Sequence, residues 1–453
     1  MELKEKESDE MAAETVEKPQ DIPQGGLKMK IIFIIFGIGS LLAWNAILSD
    51  IGFFINFQMK YDPSTKFPFF NFTLNIIFQF VMIWKKQLLS YETQLIFGLL
   101  ASVITLICLP IVVSSFEKDS LTGFIITGGI ILFQGLVNAF CCSGFYGLVS
   151  FFPMEQIIAL SSGQGISGIL MNVIGYIILV SINTDDKDAD SKIGAIIFFS
   201  ISGLILLTCF VLLLFAFKTE YFKYYLSQTK DFNKNEKNIE KLGGEGITTR
   251  STGGNESEAP LVKSENINNE INFFGLFKLL YDIDILSCYI YIVTFALFPS
   301  VSISQRLFKL GKYRQITIIT IYNVFDTVGR SIISKIKPTK ILSYIVILSR
   351  SILLFTLFFN FYCDRKLDMN PIQSSIFLII NVSLLALTNG MGTSLCFGIA
   401  PTLVPPEIRG RAGSSVGFFN IFGIFIGTCL AFLSKLIMDA IGTFNPETDE
   451  DIY

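Results

Sequence analysis

Residues 322–330 read Tyr-Asn-Val-Phe-Asp-Thr-Val-Gly-Arg, in the middle of an apolar stretch that runs from 315 to 334. As a helix, that stretch is long enough to cross a hydrocarbon core about 30 Å thick. Asp326 and Arg330 stand one helical turn apart within it. A charge at the centre of a membrane helix costs roughly 2.5–3.5 kcal/mol on insertion scales. A chain that keeps two has them facing a partner, a cavity or a transported solute.

The rest of the chain reads the same way. Of its 453 residues 51% are hydrophobic, 45 are Phe and only 16% are charged, where soluble domains average about 25% charged. The charges gather between apolar runs, each able to span a bilayer as a helix. Eleven runs stand out, at 31–57, 68–84, 94–114, 121–150, 157–181, 193–217, 285–304, 315–334, 341–360, 372–400 and 412–438. The fold class expected is an all-α membrane protein with eleven transmembrane helices. Residues 1–30 are too polar for a secretory signal, so the first span should itself direct insertion.

Residues 218–282, with Asn-Lys-Asn-Glu-Lys-Asn and Gly-Gly-Glu-Gly at their centre, lack apolar periodicity and read as a flexible linker. They divide the chain into a tail (1–30), a six-helix bundle (31–217), the loop, a five-helix bundle (283–440) and a second tail (441–453). With the N-terminus in the cytoplasm, the inner segments hold 21 Lys and Arg against 11 outside. That orientation follows the positive-inside rule and puts the C-terminus outside. Arg306, Lys309, Lys312 and Arg314 run against it. The plasma membrane is the expected location and a monomer the expected state. Two bundles joined by a long loop are a common plan for carriers, with the solute site between the halves near the midplane.

Several function classes are set aside. Histidine is absent from the chain, which removes Ser-His-Asp and Cys-His catalysis and His-ligated metals. No phosphate loop of the form G-x-x-x-x-G-K-[S/T] occurs, and no basic stripe suggests nucleic acid. No enzyme activity, cofactor or metal is expected. Gly163-Gln164-Gly165-Ile166-Ser167-Gly168 matches the dinucleotide pattern G-x-G-x-x-G but lacks the strand and βαβ context it needs. Close helix packing by small residues explains it better, as it does Gly413-x-x-x-Gly417 and Gly423-x-x-x-Gly427. The eight cysteines read as packing residues, with Cys363 alone in a loop.

Asn323, Asp326 and Arg330 fall at i, i+3 and i+7 on one helical face. They form either an internal ion pair that locks the span or the polar wall of a solute path; Arg330 can do both, since it has donors to spare. Arg350, in the middle of the ninth span, reads as a structural partner of carbonyls or a carboxylate. Asp50, deep in the first span, is a candidate proton-coupling group or a water-contacting vestibule residue. Lys435 and Asp439 read as an interfacial pair.

Leu41-Leu42-Ala43-Trp44-Asn45 resembles the first-helix signature of the equilibrative nucleoside transporters, with Ala43 where the family has proline. Gly147 through Pro153, Ser162 through Gly168, Tyr322 through Arg330, Thr388-Asn389-Gly390, and Ala412-Gly413 through Phe418-Phe419 with Gly423 and Gly427 extend the resemblance in order along the chain. It implies a major-facilitator-like arrangement of six plus five helices. It also implies facilitated passage of nucleosides, sometimes nucleobases, by alternating access. On that resemblance Leu41 and Trp44 line the path, Asp326 and Arg330 face the ribose hydroxyls, and Asn45 and Leu48 lie nearby. The family's fourth-helix glutamine falls on Cys142, and a thiol is a poor stand-in for an amide. Purine or pyrimidine preference therefore does not carry over. Proton-coupled uptake through Asp50, carriage of another small solute such as a sugar, and a receptor or scaffold acting through the loop are the alternatives.

Overall fold

The computed structural model describes residues 25–84, 89–182, 186–226, 273–305, 307–308, 310, 313–333, 335–336, 338–367, 369–405 and 408–442. Among them there is no β-strand. The long helices are α1 (Gly26–Ser49), α2 (Pro63–Trp84), α3 (Tyr91–Ser114), α4 (Leu121–Val149), α5 (Met154–Ser181) and α6 (Lys187–Ala216) in the first half. The second half holds α7 (Phe273–Leu297), α8 (Arg314–Ile333), α9 (Lys340–Leu348 continued by Ser351–Lys366), α10 (Pro371–Ile399) and α11 (Arg409–Gly442). Ten of these are long and apolar enough to cross a membrane. The eleventh, α2, has 22 residues, roughly 33 Å of helix.

Short polar connections start the helices. Ser90 accepts from the Thr93 amide at 3.2 Å and Ser120 from that of Gly123 at 3.3 Å, while Asp186 caps α6 and Asn370, followed by Pro371, caps α10. Each satisfies an amide that the first helical turn leaves unpaired. The long loop expected at 218–282 lies largely outside the described residues. Its first part is helical at 220–226, and α7 begins at Phe273, ahead of the apolar run, with Leu276 and Leu280 buried.

Small residues set how closely the helices cross. A Cβ added at Gly163 on α5 would collide with the Ile34 carbonyl oxygen of α1 and press on Gly37. The Gly-x-Gly-x-x-Gly stretch is thus a helix-packing seam, as its context suggested. At the α8–α10 crossing, Gly329 abuts the Leu387 carbonyl and Gly390 abuts that of Asp326. That contact positions the backbone beneath the buried charges.

The halves meet near both membrane faces. At the face where α1 begins, Gly413 packs on Ser150 and Tyr146, and Gly398 on Met154. At the opposite face Tyr176 bonds Thr317, and Thr65 lies 3.4 Å from Ser300. Lys435 there pairs with Asp62 of the first half; the side chain of Asp439, its expected partner, lies outside the described residues. The Lys435 side chain sits close enough to the interface to reach across it. Cys363, expected in a loop, is buried in the last turns of α9. Of the basic cluster before α8, Arg306, Lys309 and Lys312 lie outside the described residues, and Arg314 is the buried first residue of α8.

Candidate substrate-binding site

Asp326 and Arg330 are 6% and 4% exposed, and Arg330 reaches across the seam between the halves. Arg330 Nε donates to Asp326 Oδ2 at 2.7 Å. Asn389 of α10 donates from Nδ2 to Asp326 Oδ1 at 2.7 Å. Arg330 Nη1 then crosses to α5, donating to Ser161 Oγ at 3.1 Å and to Gln164 Oε1 at 3.2 Å. Gln164 Nε2 in turn donates to the Tyr146 hydroxyl of α4 at 2.8 Å and to Ser40 Oγ of α1 at 3.2 Å. One ion pair on α8 therefore touches four other helices, two of them through Gln164. Breaking such a pair by removing one partner leaves an uncompensated buried charge, which costs about 3–5 kcal/mol.

Aromatic rings surround this core. Trp44 lies one turn beyond Ser40 on α1 and meets Phe72 edge-on at 5.1 Å. Phe72 meets Phe295 of α7 at 5.5 Å, so a run of ring edges crosses the seam. Tyr146 stacks on Phe397 at 4.3 Å, and Tyr322 on Phe298 at 4.1 Å. Tyr291, which accepts from Thr393 at 3.2 Å, lies against Arg330. Flat apolar walls beside a few convergent polar groups are the usual composition of a small-molecule site.

The other expected residues take up distinct places. Leu48 and Asn45 are buried beside Trp44 on α1, and Leu41 is half-buried. Cys142 is buried one turn before Tyr146, its thiol 3.7 Å from Asn138 Oδ1. Asn323 lies against Gly168 of α5, where an added Cβ would collide with its carboxamide, and its Nδ2 is buried without a hydrogen-bond partner. Asp50 stands apart from the network. It separates the end of α1 from a short helix at Ile51–Gln58, with φ −104° and ψ 29°, and its Oδ2 is buried without a partner.

Gln164, Ser161, Tyr146, Asn389 and Arg350 were not singled out as site residues in the sequence. Gln164 was hidden by the glycines on either side of it, which explain the motif without it. Arg350 was expected to bind a carbonyl or a carboxylate. It instead donates from Nη2 to Thr294 Oγ1 and from Nη1 to Asn389 Oδ1 at 3.5 Å, while 1% exposed.

The family described as Nucleoside transporter matches residues 128–436. Among similar proteins, Equilibrative nucleotide transporter 7 of Arabidopsis thaliana is 27% identical, covering 92% of this chain and 97% of its own. Equilibrative nucleoside transporter 1 of Homo sapiens is 22% identical, covering 90% and 97%. Among solved structures, the major facilitator superfamily proton:xylose symporter XylE bound to 6-bromo-6-deoxy-D-glucose aligns with a TM-score of 0.56 at 12% identity, over 91% of this chain and 94% of that one. The partially occluded inward-open form of XylE from E. coli aligns with a TM-score of 0.54 at 12% identity, over 92% and 97%. At that identity the likeness is one of fold, a major-facilitator arrangement of two helical halves.

Proposed function

This chain belongs to the nucleoside transporter family, and from that premise we propose that Asp326 and Arg330 hold the sugar of a nucleoside as it crosses between the halves. The protein is a multi-pass membrane carrier that works by facilitated transport, and it is not an enzyme. The observation that carries the site assignment is the state of the Asp326 carboxylate. A carboxylate offers about four acceptor positions, and Asp326 uses one on each oxygen, for Arg330 and for Asn389. Two positions remain for a pair of sugar hydroxyls. Trp44, Leu41, Leu48, Asn45 and the neighbouring rings supply flat walls for the base, and Asn323 has an amide donor to offer.

The Arg330 bonds to Ser161 and Gln164 cross between halves at the level of the site, beside a 3.1 Å contact of Ser161 with Ser394. Rocking the halves apart breaks them, and the freed guanidinium can then turn to the solute. We place the N-terminus in the cytoplasm, the C-terminus outside, and the monomer in the plasma membrane. The test is uptake by purified protein in liposomes, with nucleosides, nucleobases and hexoses in competition. Nucleoside uptake abolished by Asp326→Asn and by Arg330→Ala supports the assignment. Uptake left intact by both refutes it.

One observation favours a second reading, in which uptake is driven by protons. Asp50 places an unpartnered carboxylate oxygen at the end of α1, as a group that gains and loses a proton would. Uptake that ignores an imposed proton gradient, and is unchanged in Asp50→Asn, eliminates that reading.

A further inference from the structure

We propose that Arg350 is a positioning residue for Asp326, acting through Asn389, and that it makes the site selective for solutes with free sugar hydroxyls. The proposal rests on the sugar-binding assignment above. Its basis is a relay through four helices of the second half. Arg350 of α9 donates to Thr294 of α7 and to Asn389 Oδ1 of α10, and Asn389 Nδ2 donates to Asp326 of α8. The Thr294 hydroxyl also lies 2.9 Å from Asn389 Oδ1.

A carboxamide has one oxygen and one amino group, and either end can face a given neighbour. Here donors gather on one side of Asn389, so its oxygen must face Arg350 and Thr294. Its amino group must then face Asp326. The carboxylate holds the amino end of Asn389, and the guanidinium is the charged group that holds its oxygen end. Without the guanidinium the oxygen end is left to the neutral Thr294 hydroxyl, and the bond to Asp326 Oδ1 loses its fixed angle.

Arg350 itself has an unusual setting. Its side chain is almost fully buried, its Nε has no hydrogen-bond partner, and the groups bonded to its Nη atoms are neutral. It also stands immediately before the second segment of α9, in the two-residue break that follows Leu348. A buried guanidinium is expensive to keep without a carboxylate in contact. Its positive field does reach the nearest carboxylate, that of Asp326, one carboxamide away.

The test compares KM for uridine and for 2′,3′-dideoxyuridine in proteoliposomes. The dideoxy sugar keeps its 5′-hydroxyl but has no 2′,3′ pair to offer the carboxylate. Arg350→Met keeps the apolar stem and removes the charge. It is expected to raise KM for uridine about tenfold, the equivalent of roughly 1.4 kcal/mol, with KM for the dideoxy nucleoside and kcat for both little changed. Arg350→Lys is expected to recover part of the difference. Thr294→Val removes one hydroxyl from the relay and is expected to give the same split at smaller size, which keeps the test open if Arg350→Met does not fold. Equal changes for the two nucleosides, or none, overturn the proposal. Uridine uptake by Asp326→Asn, measured alongside, separates the two claims. If that variant takes up uridine as the parent does, the sugar assignment falls and this inference with it. If its uptake is lost and neither Arg350→Met nor Thr294→Val shows the split, only the positioning role falls.

Discussion

Replacing Asp326 with asparagine changes almost no volume, so its effect isolates charge and hydrogen-bond direction. The carboxylate accepts at 2.7 Å from Arg330 on one oxygen and at 2.7 Å from Asn389 on the other. A carboxamide has only one oxygen, so whichever way it turns an amino group meets a donor. Keeping the oxygen toward Arg330 sets the new amino group against Asn389 Nδ2. Asn389 is not free to flip, because Thr294 and Arg350 hold its oxygen. An unsatisfied buried donor costs about 1–3 kcal/mol, and a buried cation stripped of its counter-charge about 3–5 kcal/mol. The terms overlap on Arg330, so the expected loss is about 3–5 kcal/mol in all. The double substitution Asp326→Asn with Asn389→Asp resolves the conflict. The new carboxamide then accepts from Arg330 and donates to the new carboxylate, which faces Arg350. Thermal unfolding in detergent is expected to drop sharply for the single variant and to recover in the double one. Nucleoside uptake is expected to be lost in both, because the carboxylate has moved off the sugar position. A single variant as stable as the parent, or a double variant that transports, refutes the reasoning.

Three further outcomes follow from other parts of the fold. Gly390→Ala drives a Cβ into the Asp326 carbonyl oxygen; overpacking of this kind costs typically about 1–3 kcal/mol, so thermal unfolding should move down and uptake should fall with it. Gln164→Glu sets a full negative charge against the Arg330 guanidinium at the 3.2 Å contact, and the Tyr146 and Ser40 hydroxyls, which now accept from Gln164, can turn to donate to the new carboxylate. It should favour the closed state, lowering turnover while leaving surface expression unchanged. At the far face, burial pushes the Asp62 carboxyl up, but the Lys435 ammonium with the Ser64 and Thr65 hydroxyls outweighs it and holds the group below its ordinary value. A lowered folded-state pKa means that the stabilisation is present above the ordinary carboxylate value and disappears as pH falls through the lowered one. The pair is partly exposed and worth at most about 1 kcal/mol. Thermal unfolding followed from pH 6 down to about pH 3 should show a small acid-side loss that Asp62→Asn abolishes.

The membrane architecture was legible because lipid imposes a length and a composition on every spanning helix. Where a helix starts was less so. Asp284 shows why: its charge cut the apolar run short at 285, yet it is fully buried in α7, accepting from Ser415 at 2.9 Å. A carboxylate with a serine partner on the facing helix can lie inside a span, and that partner is 131 residues away in sequence. The Asp326–Arg330 pair could be read from its i, i+4 spacing alone. Its wider network could not, because Gln164, Asn389 and Arg350 reach the pair from α5, α10 and α9. Polar residues scattered through separate apolar helices show no pattern until those helices are packed. The contact of Lys435 with Asp62 was hidden for the same reason, since Asp62 lies across the halves.

The central claim is that the Asp326 carboxylate receives the sugar hydroxyls, and an experimental structure of the protein with a nucleoside bound tests it most directly. The account predicts ribose oxygens within about 3 Å of Asp326, with Asn389 still bonded to the carboxylate and the base against Trp44. A bound nucleoside whose ribose lies elsewhere, with Asp326 contacting only Arg330 and Asn389, would contradict it.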